Sequence, residues 1–349
     1  MLGFLSVRDR LCSASAVNHY WCDCKAIWTS VEITADDEQV AAVLQCSIVS
    51  SLETLSLYRR DGFKLTEAGW RHLATLSQLQ HLDLTCCRLR TDIDSVAHLP
   101  SFQQLRRLDL ADCRVSDNDL QHVSSLAGLQ HLDLGGHRRF SCTGLLQLLS
   151  SLVRLQHLDL AESDLSNTHL KRLTGSWPRQ LRYLDLSSCT RLSGNGLKYL
   201  APLTQLQHLE LNWCSRITDQ GLQQGAWLLQ TKLRHLSLHG CDRVTDAGLK
   251  HLSLIQSLRY LDITGSDKVT DTGMQHLASL AQLQCLVLKH CLQVSASGLQ
   301  HLTALQCLER LDIRNNRPLF SETELQRFVL SMPRCAVRYN SWFYAAVYR

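Results

Sequence analysis

The chain has 349 residues, of which 45% are hydrophobic and 19% are charged, a balance that is ordinary for a soluble globular protein. Its formal net charge of +4 is too small to indicate a nucleic-acid partner by itself. No apolar run reaches the roughly 18 residues of a membrane span, which excludes a membrane-spanning segment.

The first residues do not have the pattern of a secretion signal, because Arg8, Asp9 and Arg10 interrupt the apolar residues that follow Met1. The chain also has 15 cysteines, an odd number, without paired CxxC motifs and without an N-x-S/T glycosylation site. Such a thiol-rich chain is typical of a reducing compartment. We therefore expect a cytoplasmic or nuclear protein that is not secreted.

The N-terminal segment carries apolar and aromatic residues at defined intervals: Leu5 and Leu11, then Val17 and Trp21, then Trp28. This spacing resembles the second half of an F-box, a pattern that runs L-x-x-x-D-L/R-L, V-C/N-x-x-W and L-W-x-x-L-D-L. The family pattern opens with L-P-x-E and a first helix, and neither is found in this sequence.

F-box proteins dock an adaptor of the Skp type and hold a substrate for ubiquitin transfer. The resemblance implies that this chain is the substrate-recognition subunit of a Skp–cullin–F-box ubiquitin ligase, with Leu5, Leu11, Val17, Trp21 and Trp28 at the adaptor. The alternative is an interaction scaffold or effector with no ubiquitin role, in which these residues only cover the end of the fold.

A repeat accounts for most of the chain. The string L-x-x-L-x-L recurs eleven times at steps of 24 to 27 residues, and degenerate copies around Val31 and Val337 flank it at the same period. We therefore predict thirteen coils. The first leucines of the eleven regular copies are Leu52, Leu79, Leu105, Leu129, Leu155, Leu181, Leu206, Leu233, Leu258, Leu283 and Leu308.

Each coil is predicted to contain a short strand followed by a helix. Leu209 and Leu211 are two residues apart and so point to one face of a strand. Thr218 is a good N-cap, and Asp219 places negative charge at the positive end of the helix dipole. Stacked coils bury a continuous core, with parallel strands on a concave side and the wider helices on a convex side.

These residues resemble the cysteine-containing leucine-rich-repeat family, L-x-x-L-D-L-s-x-C-x-x-I-T-D-x-G-L, over residues 50–330. The resemblance implies an α/β fold, a right-handed leucine-rich-repeat solenoid with the ribonuclease-inhibitor-like horseshoe shape and about 13 coils. No H-E-x-x-H, G-x-S-x-G, G-x-G-x-x-G or P-loop string occurs in the sequence. We therefore expect a protein-binding chain that is not an enzyme and uses no cofactor.

Three parts are expected along the chain. Residues 1–50 form a partial F-box-like helical N-cap with the first pseudo-repeat, residues 51–331 form the solenoid, and residues 332–349 form a terminal strand and an aromatic C-cap. We interpret the terminal aromatic residues as packing on the last coil. They are Trp342, Phe343, Tyr344 and Tyr348.

Equivalent positions of successive coils form rows, and one row, at the turn after the strand, is rich in cysteine. One sulfur per coil at about 5 Å spacing does not converge on the four ligands of a zinc site. We expect these thiols to satisfy loop carbonyls and predict no metal site. The cysteines of this row are Cys87, Cys113, Cys189, Cys214, Cys241 and Cys291.

Two further rows consist of polar residues within the predicted strands. Acids lie between the two inward leucines, and histidine, arginine or tyrosine lies two positions earlier. Acid–base catalysis needs one constellation, whereas these residues recur in coil after coil, which favours a solvated, mutually compensating charge lattice. A surface that responds to pH near 6–7 remains open. The acids are Asp83, Asp109, Asp133, Asp159, Asp185, Glu210, Asp262 and Asp312, and their neighbours are His81, Arg107, His131, His157, Tyr183, His208, His235, Tyr260 and Arg310.

Binding sites are expected where the rows break, as at Ser237 and Val287, which replace acids. An aromatic residue beside arginine and histidine has the composition of an interface hot spot. Tyr58 and Arg59 replace the small residues of an early coil and are a second candidate. We predict that a protein partner binds the concave side mainly at Trp213, His239, Lys289, His290, Arg314 and Asn315.

Overall fold

The computed structural model describes residues 30–32, 52–57, 70–71, 73–87, 96–137, 141–225, 231–316 and 321–339. Within these ranges, thirteen strands of three residues each follow the thirteen predicted coils in order. The chain divides into two compact units, one of Met1–Ala161 with Ser176–Leu181 and the other of Glu162–Gly175 with Arg182–Arg349.

In the first unit, consecutive strands pair in parallel, and the central leucine of each lies beside that of the next, as Leu82 lies beside Leu108. The degenerate copy around Val31 also forms a strand, which pairs with the strand of Leu55. The elements are β1 Ser30–Glu32, β2 Thr54–Ser56, β3 His81–Asp83, a 3-10 turn Leu99–Ser101, β4 Arg107–Asp109, α1 Asp117–Val123, β5 His131–Asp133, α2 Cys142–Ser151 and β6 His157–Asp159.

The second unit repeats this order with seven described strands, again parallel and in sequence. The degenerate copy around Val337 forms its last strand. The elements are α3 Asn167–Leu173, β7 Tyr183–Asp185, a 3-10 helix Gly194–Leu200, β8 His208–Glu210, α4 Asp219–Gln224, β9 His235–Ser237, α5 Asp246–Leu252, β10 Tyr260–Asp262, α6 Asp271–Leu277, β11 Cys285–Val287, α7 Ala296–His301, a 3-10 turn Leu302–Ala304, β12 Arg310–Asp312, α8 Glu322–Ser331 and β13 Ala336–Arg338.

The repeated leucines form the core of each unit. Leu209, at the centre of β8, and Leu211, just after it, are at most 1% exposed, whereas His208 and Glu210 on either side of Leu209 face outward. Each fully buried leucine contributes about 1.5–3 kcal/mol of hydrophobic stabilisation. The predicted α/β leucine-rich-repeat solenoid is confirmed. No helix within the described ranges is long and apolar enough to cross a membrane.

The coil of β7 departs from the predicted α-helix. After β7 the chain forms the 3-10 helix Gly194–Leu200 instead. Gly194 starts this helix where Asp219 and Asp246 start α-helices in later coils, and a glycine costs about 1 kcal/mol relative to alanine in an α-helix. The tighter 3-10 geometry is common where helical preference is weak and the segment is short.

The T-D-x-G-L motif joins one coil to the next. The Asp219 carboxylate accepts hydrogen bonds from the backbone N–H (2.8 Å) and the hydroxyl (2.7 Å) of Thr245, the N-cap of the following coil. A Cβ atom at Gly248 would lie 2.4 Å from Asp219 Oδ1, so any other residue here would displace the carboxylate from these hydrogen bonds. We call this arrangement the aspartate clasp. Asp246 repeats it on Thr270.

The cysteine row is structural, as predicted. Cys214 Sγ donates to the Leu186 carbonyl at 3.2 Å and Cys241 Sγ to the Leu211 carbonyl at 3.2 Å, each reaching the strand of the preceding coil. Burial raises the pKa of the Cys241 thiol to about 12, so it stays protonated and can donate. The described cysteines are free thiols.

Candidate partner-binding surface

The outward side chains of β7 to β13, with the residues that follow each strand, form a surface of the second unit that we call the strand face. Side chains alternate along a strand, so β7, β8 and β10 bury their central leucine and leave the first and third residues partly exposed. In β9, β11 and β12 the third residue is buried as well. Six of the eight residues predicted to bind a protein partner lie on this face or its edge.

Trp213 is the most exposed large aromatic side chain on the strand face, with 57% of its surface accessible. Its backbone is left-handed, with φ of +59°, as it is at the equivalent turn position of other coils, where Ser188, Gly240 and His290 also have positive φ. The indole lies directly over the Gly240 backbone, where a Cβ would be 2.4 Å from its Cε3 atom. The ring also contacts His239, with centroids 4.6 Å apart.

Two predicted cations share one acid at the other end of the predicted surface. Arg314 binds the Asp312 carboxylate through Nη2 (2.6 Å) and Nε (2.9 Å), and Lys289 Nζ lies 3.6 Å from it. Burial raises the pKa of the Asp312 carboxyl, but the Arg314 hydrogen bonds and the Lys289 charge outweigh this and lower it overall. His290 and Asn315 extend the cluster through a 3.1 Å side-chain hydrogen bond.

The predicted surface therefore contains two clusters rather than one. Trp213 and His239 follow β8 and β9, whereas the Asp312 cluster follows β11 and β12. The coil of β10 separates them and presents Thr264, only 4% exposed, and Gly265. A bound segment that crosses both clusters would meet side chains at each end and bare backbone between them.

Several predicted residues lie outside the described ranges. They are Tyr58, Arg59, Leu5, Leu11, Val17, Trp21 and Trp28, with the terminal aromatic residues Trp342, Phe343, Tyr344 and Tyr348.

A stack of four rings on the strand face was not predicted from the sequence. Tyr183, His208, His235 and Tyr260 occupy the first positions of β7 to β10, and their successive ring centroids are 4.4, 3.5 and 3.8 Å apart. The available signal was four consecutive coils with a ring at this position. We call these residues the ring stack.

Glu210 lies against the middle of the ring stack. Its Oε1 atom is 2.7 Å from His208 Nε2 and 2.9 Å from His235 Nε2, and Asn212 Nδ2 donates to Oε2 at 2.9 Å. Burial raises the pKa of this carboxyl, but the two histidine hydrogen bonds outweigh burial and lower it to about 2. The carboxylate is therefore ionised throughout the physiological pH range.

The first unit has a related cluster of different geometry. Asp109 is bound by His81 (3.0 Å), Arg107 (2.8 Å) and His131 (3.2 Å). Burial raises the pKa of its carboxyl, but these three hydrogen-bond donors outweigh that effect and hold it well below the ordinary value. The Arg107 guanidinium occupies the position beside Asp109 that the His208 ring has beside Glu210.

The acidic row has a structural role that its interpretation as a solvated lattice did not include. Asp133, Asp185 and Asp262 each accept a hydrogen bond from the backbone N–H two residues later, at 2.7–2.8 Å, and so fix the turn that ends the strand. These acids are partly buried rather than fully solvated. The interpretation of these acids as a solvated lattice was therefore wrong for these three residues.

Two family models match the chain. Residues 70–178 match the model described as Zer-1-like, leucine-rich repeats. Residues 179–201, 203–223, 230–253 and 255–278 match the model described as leucine rich repeat. The fold and these matches define a class of repeat scaffolds: the chain is a leucine-rich-repeat protein. The comparison with curated proteins gives no match.

Solved structures share the fold at low identity. A chain of the Rad7 and Elc1 complex in yeast is 18% identical, with a TM-score of 0.65 over 95% of this chain and 90% of that one. An internalin (inlF) from Listeria monocytogenes is 19% identical, with a TM-score of 0.57 over 89% and 95%. A chain of the TLR13–ssRNA13 complex is 18% identical, with a TM-score of 0.55 over 88% and 47%.

Proposed function

We propose that this leucine-rich-repeat protein holds a protein partner against the strand face of its second unit, between Trp213 and Asn315. The observation that carries the proposal is the exposure of Trp213, because 57% of this large aromatic side chain is accessible. Its left-handed backbone is shared with the equivalent residues of other coils, such as Ser188 and His290, so the exposed indole is what distinguishes this position. Tryptophan is also the residue type most enriched in interface hot spots.

The surroundings of Trp213 suit a docking role. The indole rests on Gly240 and against His239, so its orientation is fixed before a partner arrives and little side-chain entropy is lost on binding. The Asp312 cluster supplies Arg314 and Lys289 at the far end as charged donors. A partner segment with an apolar anchor for Trp213 and an acidic or carbonyl-rich end for these cations fits the surface.

The prediction that tests this surface uses Trp213→Gly. Glycine relieves the positive φ, so the variant is expected to fold at least as stably as the natural chain while it loses partner binding by about 30-fold or more. Binding is measured by quantitative co-purification from cells, and stability by thermal melting. Leu254→Ala is the control, because Leu254 is equally exposed, at 57%, but does not lie on the strand face. Equal partner recovery by both variants would contradict the proposal.

We further propose that the scaffold is the substrate-recognition subunit of a Skp–cullin–F-box ubiquitin ligase in the cytoplasm or nucleus. The F-box resemblance of residues 1–50 supports it, and so do the free thiols, which suit a reducing compartment. A fold neighbour that was solved in a two-protein complex is consistent with it. Co-purification with a Skp-type adaptor, lost on substitution of Trp21 and Trp28, is the test. A folded chain that does not bind the adaptor would favour a scaffold or effector with no ubiquitin role.

A further inference from the structure

We propose that His208, His235 and Glu210 form a binding site for a divalent transition-metal ion, with Zn²⁺ as the natural candidate. Within the described ranges, one nitrogen of each histidine and one carboxylate oxygen lie within 4.8 Å of one another. Two imidazoles and a carboxylate are a common protein ligand set for zinc, with a fourth position left to water. No metal site was predicted from the sequence, because only the cysteine row was considered as a source of metal ligands.

Both histidines approach the same carboxylate oxygen. His208 and His235 are register partners on adjacent parallel strands, so their rings project side by side, with centroids 3.5 Å apart and an interplanar angle of 12°. Both Nε2 atoms are directed at Glu210 Oε1, at 2.7 and 2.9 Å. Ligands of a tetrahedral zinc ion with bonds of about 2.0–2.1 Å are about 3.4 Å apart, close to this spacing.

Binding requires only small movements. Glu210 has three rotatable side-chain bonds and can swing its Oε1 aside, and one ring must tilt so that both nitrogen lone pairs meet the ion. His208 is the ring with room to tilt, because it meets Tyr183 at 4.4 Å and 32°, whereas His235 lies flat on Tyr260 at 3.8 Å and 4°.

The surroundings of the site match those of functional metal sites. Asn212 holds Oε2 of Glu210 and also accepts from the Ser237 hydroxyl and the His239 N–H, so the carboxylate is oriented by a second layer of hydrogen bonds. The His208 and His235 side chains are 28% and 24% exposed, which leaves one side of the site open to water.

The first unit shows why two histidines and an acid do not by themselves form a metal-binding site. His81, Asp109 and His131 repeat the histidine–acid–histidine composition, but the histidines lie two strands apart and approach different oxygens of the carboxylate. Arg107, from the strand between them, donates to the same carboxylate and places a positive charge where an ion would bind. The Asp109 cluster is therefore a matched internal control.

The experiment titrates the purified full-length chain with Zn²⁺ by calorimetry. The natural chain is expected to bind one ion through this site, and His208→Gln and His235→Gln are each expected to weaken that binding at least 100-fold. His81→Gln and His131→Gln are expected to leave the zinc affinity unchanged. Cys307→Ser removes an exposed thiol and is also expected to leave the zinc affinity unchanged. Mg²⁺ is expected not to compete, because it prefers oxygen ligands. Unchanged affinity in both folded histidine variants, or no zinc binding by the natural chain, would overturn the proposal.

A second measurement needs no variant. X-ray absorption of the zinc-loaded natural chain is expected to show nitrogen or oxygen ligands near 2.0–2.1 Å with imidazole scattering. Sulfur at about 2.3 Å would assign the ion to the cysteines and refute the site. The result does not depend on Trp213 or on the identity of any partner.

Discussion

Replacing Gly221 with alanine is expected to lower the free energy of unfolding by about 4 kcal/mol, at the upper end of single-residue effects. A Cβ at Gly221 would lie 2.2 Å from the Gly194 Cα, and a Cβ at Gly194 would lie 2.4 Å from the Gly221 Cα. The obstacle is backbone, which cannot rotate aside as a side chain does. The coils of β7 and β8 must therefore separate, which opens the leucine core beneath them.

Equilibrium urea unfolding, followed by circular dichroism, measures this effect. Gly175→Ala is the matched control, because a Cβ at the exposed Gly175 would meet nothing within 4 Å. That substitution is expected to change stability by less than about 1 kcal/mol, and the smaller entropy of the unfolded chain favours a slight gain. Equal urea midpoints for Gly221→Ala and Gly175→Ala would contradict the prediction, because they would show that the two coils can separate at Gly194 without loss of stability.

The contact between Gly194 and Gly221 also explains an exception in the repeat. Gly194 occupies the place that Asp219 and Asp246 hold in later coils, so this coil has no aspartate clasp. Its neighbour Gly221 packs on the Gly194 backbone instead of making room for a carboxylate. One missing side chain thus brings two backbones together and makes glycine essential at both positions.

The fold could be predicted from the sequence because each leucine recurs at a fixed spacing and only one stacking of coils buries them all. Even the degenerate copies at Val31 and Val337 gave strands in the expected register. The cysteine row was predicted correctly for the same reason, since one thiol per coil can reach only its neighbouring strand. Local helix type was less predictable, because the 3-10 helix occurs where Gly194 replaces the aspartate that starts the α-helices of later coils.

The candidate sites were harder to predict, because they depend on contacts between coils. Trp213 was chosen correctly as an exposed side chain, but the contacts of its indole with Gly240 and His239 depend on the next coil. The ring stack was visible only as a row of histidines and tyrosines. That His208 and His235 converge on Glu210 follows from strand adjacency and from a glutamate longer than the aspartates in equivalent coils.

Replacing Asp246 with alanine is expected to cost about 3 kcal/mol, because it removes two hydrogen bonds to an ionised carboxylate and a negative charge at the start of α5. The Asp246 carboxylate accepts from the Thr270 N–H at 2.8 Å and from the Thr270 hydroxyl at 2.6 Å. Thr270 in turn caps α6 by accepting from the Thr272 N–H. The loss should therefore loosen the start of the following helix as well.

The conservative variant separates the clasp from simple loss of charge. Asn167 already makes an amide version, in which its Oδ1 accepts from the Ser193 N–H at 3.0 Å and its Nδ2 donates to the Ser193 hydroxyl at 2.7 Å. Asp246→Asn is thus expected to cost only about 1 kcal/mol, and Asp267→Ala, at an exposed acid of the next coil, close to nothing. Urea unfolding ranks the three variants, and hydrogen exchange in α6 reports the local effect. If Asp246→Asn and Asp246→Ala were equally destabilised, the charge at the helix start rather than the clasp would hold these coils together.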